Sequence, residues 1–280
     1  MTGRSVRILL TGLAVWSCTA AAQLPPIRTG IDATFAPHAM PKLGGGLEGF
    51  NIDLANELAR RMGRAIIIDG TEFSALIPGM NAKKYDFLIA PTTVTPERAK
   101  AMLFSEGYME TDYMFLQKKS DTVEIKSLDD LKGKKIAVNK GSAYESWAKS
   151  NAEKYGFSYD TYGNNADAVQ AVLSGRAVAN MAGHTVVMWA AKQNPLVKPT
   201  FTYKTGLVWA MPFRLDDKAG RDQVNMVIKC MKMDGTIAKL YEKWFGLKPA
   251  ADSWTFKVAP GNGVPGMEGY DPTPVTPKCS

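Results

Sequence analysis

Apolar residues recur at helical spacing in "GFNIDLANELARRMG" (49–63). Ile52, Leu54, Ala55, Leu58, Ala59 and Met62 share one face, and Gly63 stops the run. Short apolar runs flank this segment: "IRTGID" (27–32) and "AIIIDG" (65–70) each read as a strand. "FSALIPGMNAKK" (73–84) follows as a short helix, and "YDFLIAP" (85–91) as a third strand. This strand–helix alternation predicts an open α/β sheet with mainly parallel strands. Ligands of such sheets sit beyond the carboxyl ends of the strands. Asp32 and the "APTT" at 90–93 both lie at such ends.

The pattern then restarts. "TDYMFLQKKS" (111–120) is extended. The stretch 127–156 predicts a short helix, a strand from Lys135 to Val138, a Gly-Ser turn and a helix. Residues 165–183 give another helix and strand, "TGLVWAMPFR" (205–214) is extended again, and 221–246 gives two helices broken at "DG". From about 250 the periodicity ends. Residues 259–277 hold five prolines and four glycines, which excludes regular structure. Trp254, Phe256, Met267 and Tyr270 in this tail predict that it packs on the body.

Composition narrows the picture. The chain has 280 residues, 45% hydrophobic content and a formal charge of +7, enough for one large domain or two smaller ones. Its cations are scattered with no run of five or six, which argues against nucleic acid as a partner. Residues 1–22 read as a signal peptide: Arg4 and Arg7, then "ILLTGLAVW", then "AAA" before Gln23. This predicts export to the periplasm with a mature start near Gln23. Cys18 offers a rival, a lipoprotein anchor, against which bulky Trp16 speaks. Two cysteines then remain, Cys230 and Cys279; in an oxidising compartment they form either one disulfide pinning the tail or two separate thiols. No CxxC spacing occurs and the two histidines are His38 and His184, so neither a metal site nor a cofactor is expected.

Within "TTVTPERAKAMLFSEGYM" (92–109), Thr95 and Pro96 mark a helix entry, and Arg98 stands at its third position. A cation is misplaced at the positive end of a helix. An anion arriving there would explain it; the plainer reading pairs Arg98 with Glu97 or Glu106.

The ordered set "GLEGFNIDLANELARRMG", "FSALIPGMNAKKYDFLIAPTTVTPERAKAMLFSEGY", "DLKGKKIAVNKGSAYE", "AVLSGR" and "DGTIAKLYEKWFG" resembles the family 3 solute-binding proteins of bacterial ABC importers. The resemblance runs from about Ile27 to Gly246. It implies a type II periplasmic-binding-protein fold: lobe 1 from 27–113 plus 211–250, lobe 2 from 118–206, two hinge strands at about 113–118 and 206–211, and a tail at 251–280. It also implies a monomeric receptor that delivers a carboxylate-bearing solute, an amino acid, a derivative or an opine-like compound, to a membrane permease.

The resemblance assigns roles. Arg98 matches the arginine that grips the ligand carboxylate, and Thr93 the hydroxyl beside it. Ser142 matches the second lobe's anion contact. Phe35 and Phe73 match the walls of the site, or are plain core. Asp32 contacts a ligand cation or holds a loop. The departure is in "GRAVANMAGH": Val178 and Gly183 stand where related amino-acid binders carry aspartates, the second of which takes the α-ammonium. An amine enclosed without a counter-charge costs several kcal/mol. Either the ligand lacks a primary α-amine, or Asp32, Glu72 or Glu145 reaches it; Gly183 would also leave room for a larger ligand. Two other functions compete. One is an enzyme resembling cyclohexadienyl dehydratases, with Glu72 or Glu145 as general acid near His184. The other is a ligand-sensing domain for a membrane partner.

Overall fold

The computed structural model describes residues 24–279. The expected signal peptide, Cys18 included, lies outside them. The first sheet has the spatial order Ile66–Thr71, Ile27–Asp32, Phe87–Leu88, Pro212–Phe213, Leu103–Phe104. The second repeats that plan with Ser158–Tyr162, Lys135–Asn139, Ala179–Gly183, Tyr113–Lys118 and Val197–Tyr203. In both, three parallel strands lead with the earliest in the middle, and an antiparallel strand from across the crossing comes fourth. This is the expected type II architecture of two α/β lobes joined by two crossings.

The crossings sit slightly off the expected positions. Tyr113–Lys118, expected as hinge, is a full member of the second sheet and pairs on both sides. The chain passes between sheets at Thr111 and Asp112, and returns between Tyr203 and Val208. These two segments bind each other. Thr111 N donates to Leu207 O at 2.9 Å, Thr205 N to Asp112 Oδ1 at 3.1 Å, and Lys204 Nζ pairs with Asp112 at 2.7 Å. A three-stranded sheet of Thr92–Thr93, Val208–Ala210 and Met109–Glu110 lies beside them.

The helix Phe50–Met62 buries Phe50, Leu54, Ala55 and Leu58 and ends on Gly63 in the left-handed conformation, as its periodicity requires. Gly49 before it has φ 143°, and a Cβ there would stand 2.4 Å from the His38 carbonyl oxygen, so only glycine fits the close approach. Three elements of five residues or more escaped the periodicity, the strand Ser158–Tyr162, the helix His184–Gln193 and the strand Val197–Tyr203, as did several two-residue strands. The expected strand at 85–91 contracts to Phe87–Leu88.

The tail holds one isolated bridge, Asn262 to Asp271, and packs against the helix Lys218–Met233. Asn225 Nδ2 donates to Asn262 Oδ1 at 2.8 Å, and Arg221 Nη1 to Gly269 O at 3.0 Å. The Trp254 ring lies 5.4 Å from both the Lys232 and Lys257 ammonium groups. Phe256 keeps 38% of its surface exposed, more than the packing expected of it implies. Cys230 and Cys279 form a disulfide with Cα atoms 5.4 Å apart.

Candidate functional site

Thr95 caps the helix Pro96–Ala101 by accepting from Arg98 N at 3.2 Å. This fixes Arg98 with its side chain toward the space between the sheets. Arg98 Nη1 donates to Thr93 O at 3.0 Å, and Nη2 crosses to Gly141 O of the other lobe at 2.8 Å. Both partners are neutral, and Arg98 makes no ion pair among the described residues. Glu106 is committed elsewhere, to Lys229 and Lys232. Desolvation around Arg98 holds its pKa below the usual arginine value, opposed by the Tyr113 and Tyr144 hydroxyls.

A cavity of only about 10 Å³ lies beside the guanidinium, lined by Phe35, Phe73, Pro91, Thr93, Arg98, Asn139, Ser142, Ala143 and Tyr144. Five residues expected from the sequence therefore share one cavity. That is room for about one water, far below the roughly 300–1,000 Å³ usual for ligand pockets. The lobes are drawn together over it. His38 Nε2 bonds Thr185 Oγ1 at 2.8 Å, Asn139 Nδ2 donates to Asp32 Oδ2 at 3.4 Å, and Ala166 N to Thr34 Oγ1 at 3.4 Å, all across the cleft. Larger cavities lie elsewhere, among them one beside Arg214 and Asp217 and one beside Met188 and Trp244; neither of these touches Arg98.

The family model of the bacterial extracellular solute-binding proteins, family 3, matches residues 27–247. The chain belongs to this family. It is 31% identical to the arginine-binding extracellular protein ArtP of Bacillus subtilis (strain 168), over 77% of this chain and 84% of that one. It is 29% identical to the L-cystine-binding protein TcyJ of Escherichia coli (strain K12), over 79% and 82%. Among solved structures, an ancestral arginine-binding protein bound to arginine aligns with TM-score 0.75 and 36% identity, covering 79% of this chain and 98% of that one. An ancestral amino acid-binding protein described as a precursor of cyclohexadienyl dehydratase aligns with TM-score 0.72 and 36% identity, covering 79% and 95%. The relatives are amino-acid-binding receptors of ABC transporters.

Within this family 3 protein, several expectations need correction. Gly183 leaves no room for a larger ligand. A Cβ there would meet the Trp209 ring at 2.6 Å and the Tyr144 hydroxyl at 3.0 Å, so protein side chains already fill the space. Trp209 is fully buried and packs edge-on to His38 at 4.8 Å. The Ser142 hydroxyl is occupied as the cap of the helix Ala143–Tyr155: it donates to Asn139 O at 2.6 Å and accepts from Glu145 N at 3.2 Å. Ser142 thus shapes the pocket wall, and its proton is not aimed at an anion. Asp32 takes the loop-holding alternative. Its Oδ1 accepts from Thr34 N and Thr34 Oγ1, both at 2.8 Å, and burial raises its pKa.

None of the three acids expected to replace the missing aspartate lines the pocket. Glu145 Oε2 accepts from Gly141 N at 2.5 Å, and the Glu72 carboxylate lies against Gly163. His184 is also elsewhere, beside Asp112 and Lys204 at the crossings, where burial lowers its pKa. The pocket lining contains one cation and no anion. Sequence reasoning missed Tyr144 and Asn139, which follow the strand end Lys135–Asn139 and complete the second wall.

Proposed function

We propose that this protein is the capturing receptor of an ABC importer and takes a small carboxylate-bearing solute into the cleft, gripped by Arg98. In this reading 27–113 with 211–250 is one lobe, 118–206 the other, and 251–280 a tail. The chain acts as an exported monomer that hands its ligand to a membrane permease, and it catalyses nothing. The carrying observation is the charge inventory of the pocket: Arg98 present, no carboxylate in the lining. A guanidinium held only by carbonyl oxygens can exchange them for a carboxylate, which it meets with two parallel N–H donors. The same inventory disfavours an α-ammonium on the ligand, because nothing in the lining compensates its charge. It also disfavours the dehydratase reading, which needs an acid at the ligand.

Calorimetry with a panel of organic acids, amino acids, betaines and opines tests this on wild type and Arg98→Ala. Carboxylates without an α-ammonium are expected to bind wild type. Arg98→Ala should weaken them by about 2–5 kcal/mol, roughly thirty- to several-thousand-fold. Arg98→Ala binding as tightly as wild type would remove the carboxylate clamp.

A further inference from the structure

Asn139 closes the strand Lys135–Asn139 at the edge of the pocket and is only 2% exposed. Its carbonyl and its amide nitrogen are engaged. Its carbonyl accepts from the Ser142 hydroxyl at 2.6 Å, and Nδ2 donates to Asp32 Oδ2 at 3.4 Å. Its side-chain oxygen Oδ1 is buried and accepts no hydrogen bond from the described residues. The orientation of the amide follows from its neighbour. Asp32 already accepts two donors from Thr34, so it is the acceptor in this pair, and the Asn139 NH₂ must face it. Turning the amide over would set Oδ1 against a carboxylate. The oxygen is therefore left on the other side of the amide, in a residue that lines the same small cavity as Arg98, Thr93 and Tyr144.

An unpaired buried acceptor is costly, because nothing replaces the water it gave up. Here it belongs to a wall residue of the closed cleft, which a ligand entering between the lobes would meet. We infer that Asn139 Oδ1 accepts a hydrogen bond from a neutral donor on the ligand, so that the captured solute is a carboxylate carrying a hydroxyl or an amide N–H near the acid. This deepens the receptor reading above and rests on it. The chemistry divides the ligand between two contacts of different kind. Arg98 carries the one charge of the site and meets the carboxylate. Asn139 offers a dipole of the right sign for a donor but no charge, so it satisfies O–H or amide N–H. The carboxylate behind it, Asp32, lies outside the lining and is already bonded to Thr34 and to the Asn139 NH₂, which leaves an ammonium poorly compensated in a desolvated cleft. A site that hydrogen-bonds a ligand donor also discriminates against the analogue lacking it, because its own polar group is then left unpaired.

Matched sets of probes test this by calorimetry at neutral pH. Each set shares one side chain. The small set is lactate, N-acetylalanine, alanine and propionate. The branched set is 2-hydroxyisocaproate, N-acetylleucine, leucine and 4-methylpentanoate. The aromatic set is phenyllactate, N-acetylphenylalanine, phenylalanine and 3-phenylpropionate. In the set that binds best, the hydroxy or the N-acetyl member should bind about 3- to 10-fold tighter than the unsubstituted acid. Which of the two leads identifies the donor as hydroxyl or amide. The amino acid should bind weakest. In Asn139→Leu and Asn139→Ala, both checked for a cooperative melt, the advantage over the unsubstituted acid should vanish. Equal binding of all acids to wild type, or an advantage that survives in both variants, overturns the role of Asn139 and leaves the Arg98 clamp standing. Amino acids binding best overturns the neutral-donor class. If Arg98→Ala binds the best probe as wild type does, the clamp itself falls, which the same titrations show separately.

Discussion

Lys229 and Lys232 are fully buried, yet each is matched. Their ammonium groups lie 2.5 and 2.7 Å from the two oxygens of Glu106, itself fully buried. Two cations against one anion leave a surplus charge, and carbonyl oxygens surround it: Lys229 donates to Ala259 O, Lys232 to Gly107 O and Lys257 O, both at 2.6 Å. Three of the residues that complete this cluster, Lys257, Ala259 and Trp254, belong to the tail. Arg98 is the opposite case. It is half-buried, desolvated, and faces only two carbonyls. The lysine pair already holds a carboxylate between its ammonium groups, and carbonyls take further donors. Arg98 holds no anion and retains attraction for one from outside. A buried cation thus says little by itself; its partners separate structure from function.

Glu106→Gln breaks the lysine cluster most severely. It leaves two ammonium groups buried without a counter-charge, and removing one partner of such a group typically costs about 3–5 kcal/mol. Urea unfolding should show that loss as a lower midpoint. Arg98→Ala, which cripples binding, should leave the same midpoint nearly unchanged, because it supports no charge partner. A Glu106→Gln midpoint within error of wild type would mean that the cluster is not the clamp on the tail that its geometry suggests.

Cys279→Ser releases the far end of the tail. The disulfide closes a loop of 49 residues. Such cross-links usually contribute about 2–4 kcal/mol, and chain entropy alone puts a loop of this length near the upper end. The effect should be smaller than that of Glu106→Gln, since the tail keeps its contacts through Asn262, Gly269 and Trp254. Unfolding of the serine variant against wild type, with intact mass confirming the bond in wild type, measures it. A loss larger than that of Glu106→Gln would reverse the ranking and make the covalent staple the dominant anchor.

Much of this was legible in the order of periodic segments. Strand, helix, strand with a restart after residue 110 gave the two-lobed plan, and Thr95-Pro96 placed Arg98 at a helix start facing the cleft. The helix His184–Gln193 was hidden because "HTVVMWAAKQ" is apolar on nearly every side and carries no polar stripe to reveal its period. Nothing in the sequence around Lys229 and Lys232 announces their burial, which depends on Glu106 and on the tail that folds over them. Gly183 shows a different limit. A missing side chain announces a space, and the sequence does not tell which neighbour fills it. Trp209, from a crossing strand, does so here. Asn139 carries no signal at all in "VNKGS", since an unpaired oxygen is defined by where everything else has gone.

His38 supplies a third kind of buried polar group, one that is neither balanced nor attracting, because it is uncharged. It is fully enclosed among Phe35, Phe50, Trp209 and Phe245, with Asn51 Oδ1 2.9 Å from Nδ1 and Thr185 Oγ1 2.8 Å from Nε2. Burial drops its pKa from 6.5 to about 3, against a smaller opposing effect of Asn51 and with His184 adding to the decrease. The folded pKa lies below the unfolded one, so between pH 6.5 and about 3 the unfolded chain binds the extra proton and stability falls as the pH falls. The loss approaches about 1.4 kcal/mol per pH unit and amounts to roughly 2 kcal/mol by pH 5, before the carboxylates begin to titrate. His184, whose pKa is also lowered, contributes in the same direction. Unfolding free energies measured at pH 7, 6 and 5 on wild type, His38→Gln and His184→Gln separate the two. The slope should flatten most in His38→Gln, whatever that variant's absolute stability. A slope unchanged in His38→Gln would show that its ring takes up a proton in the folded protein. The contact to Thr185 would then be a charged bond across the cleft instead of a neutral one.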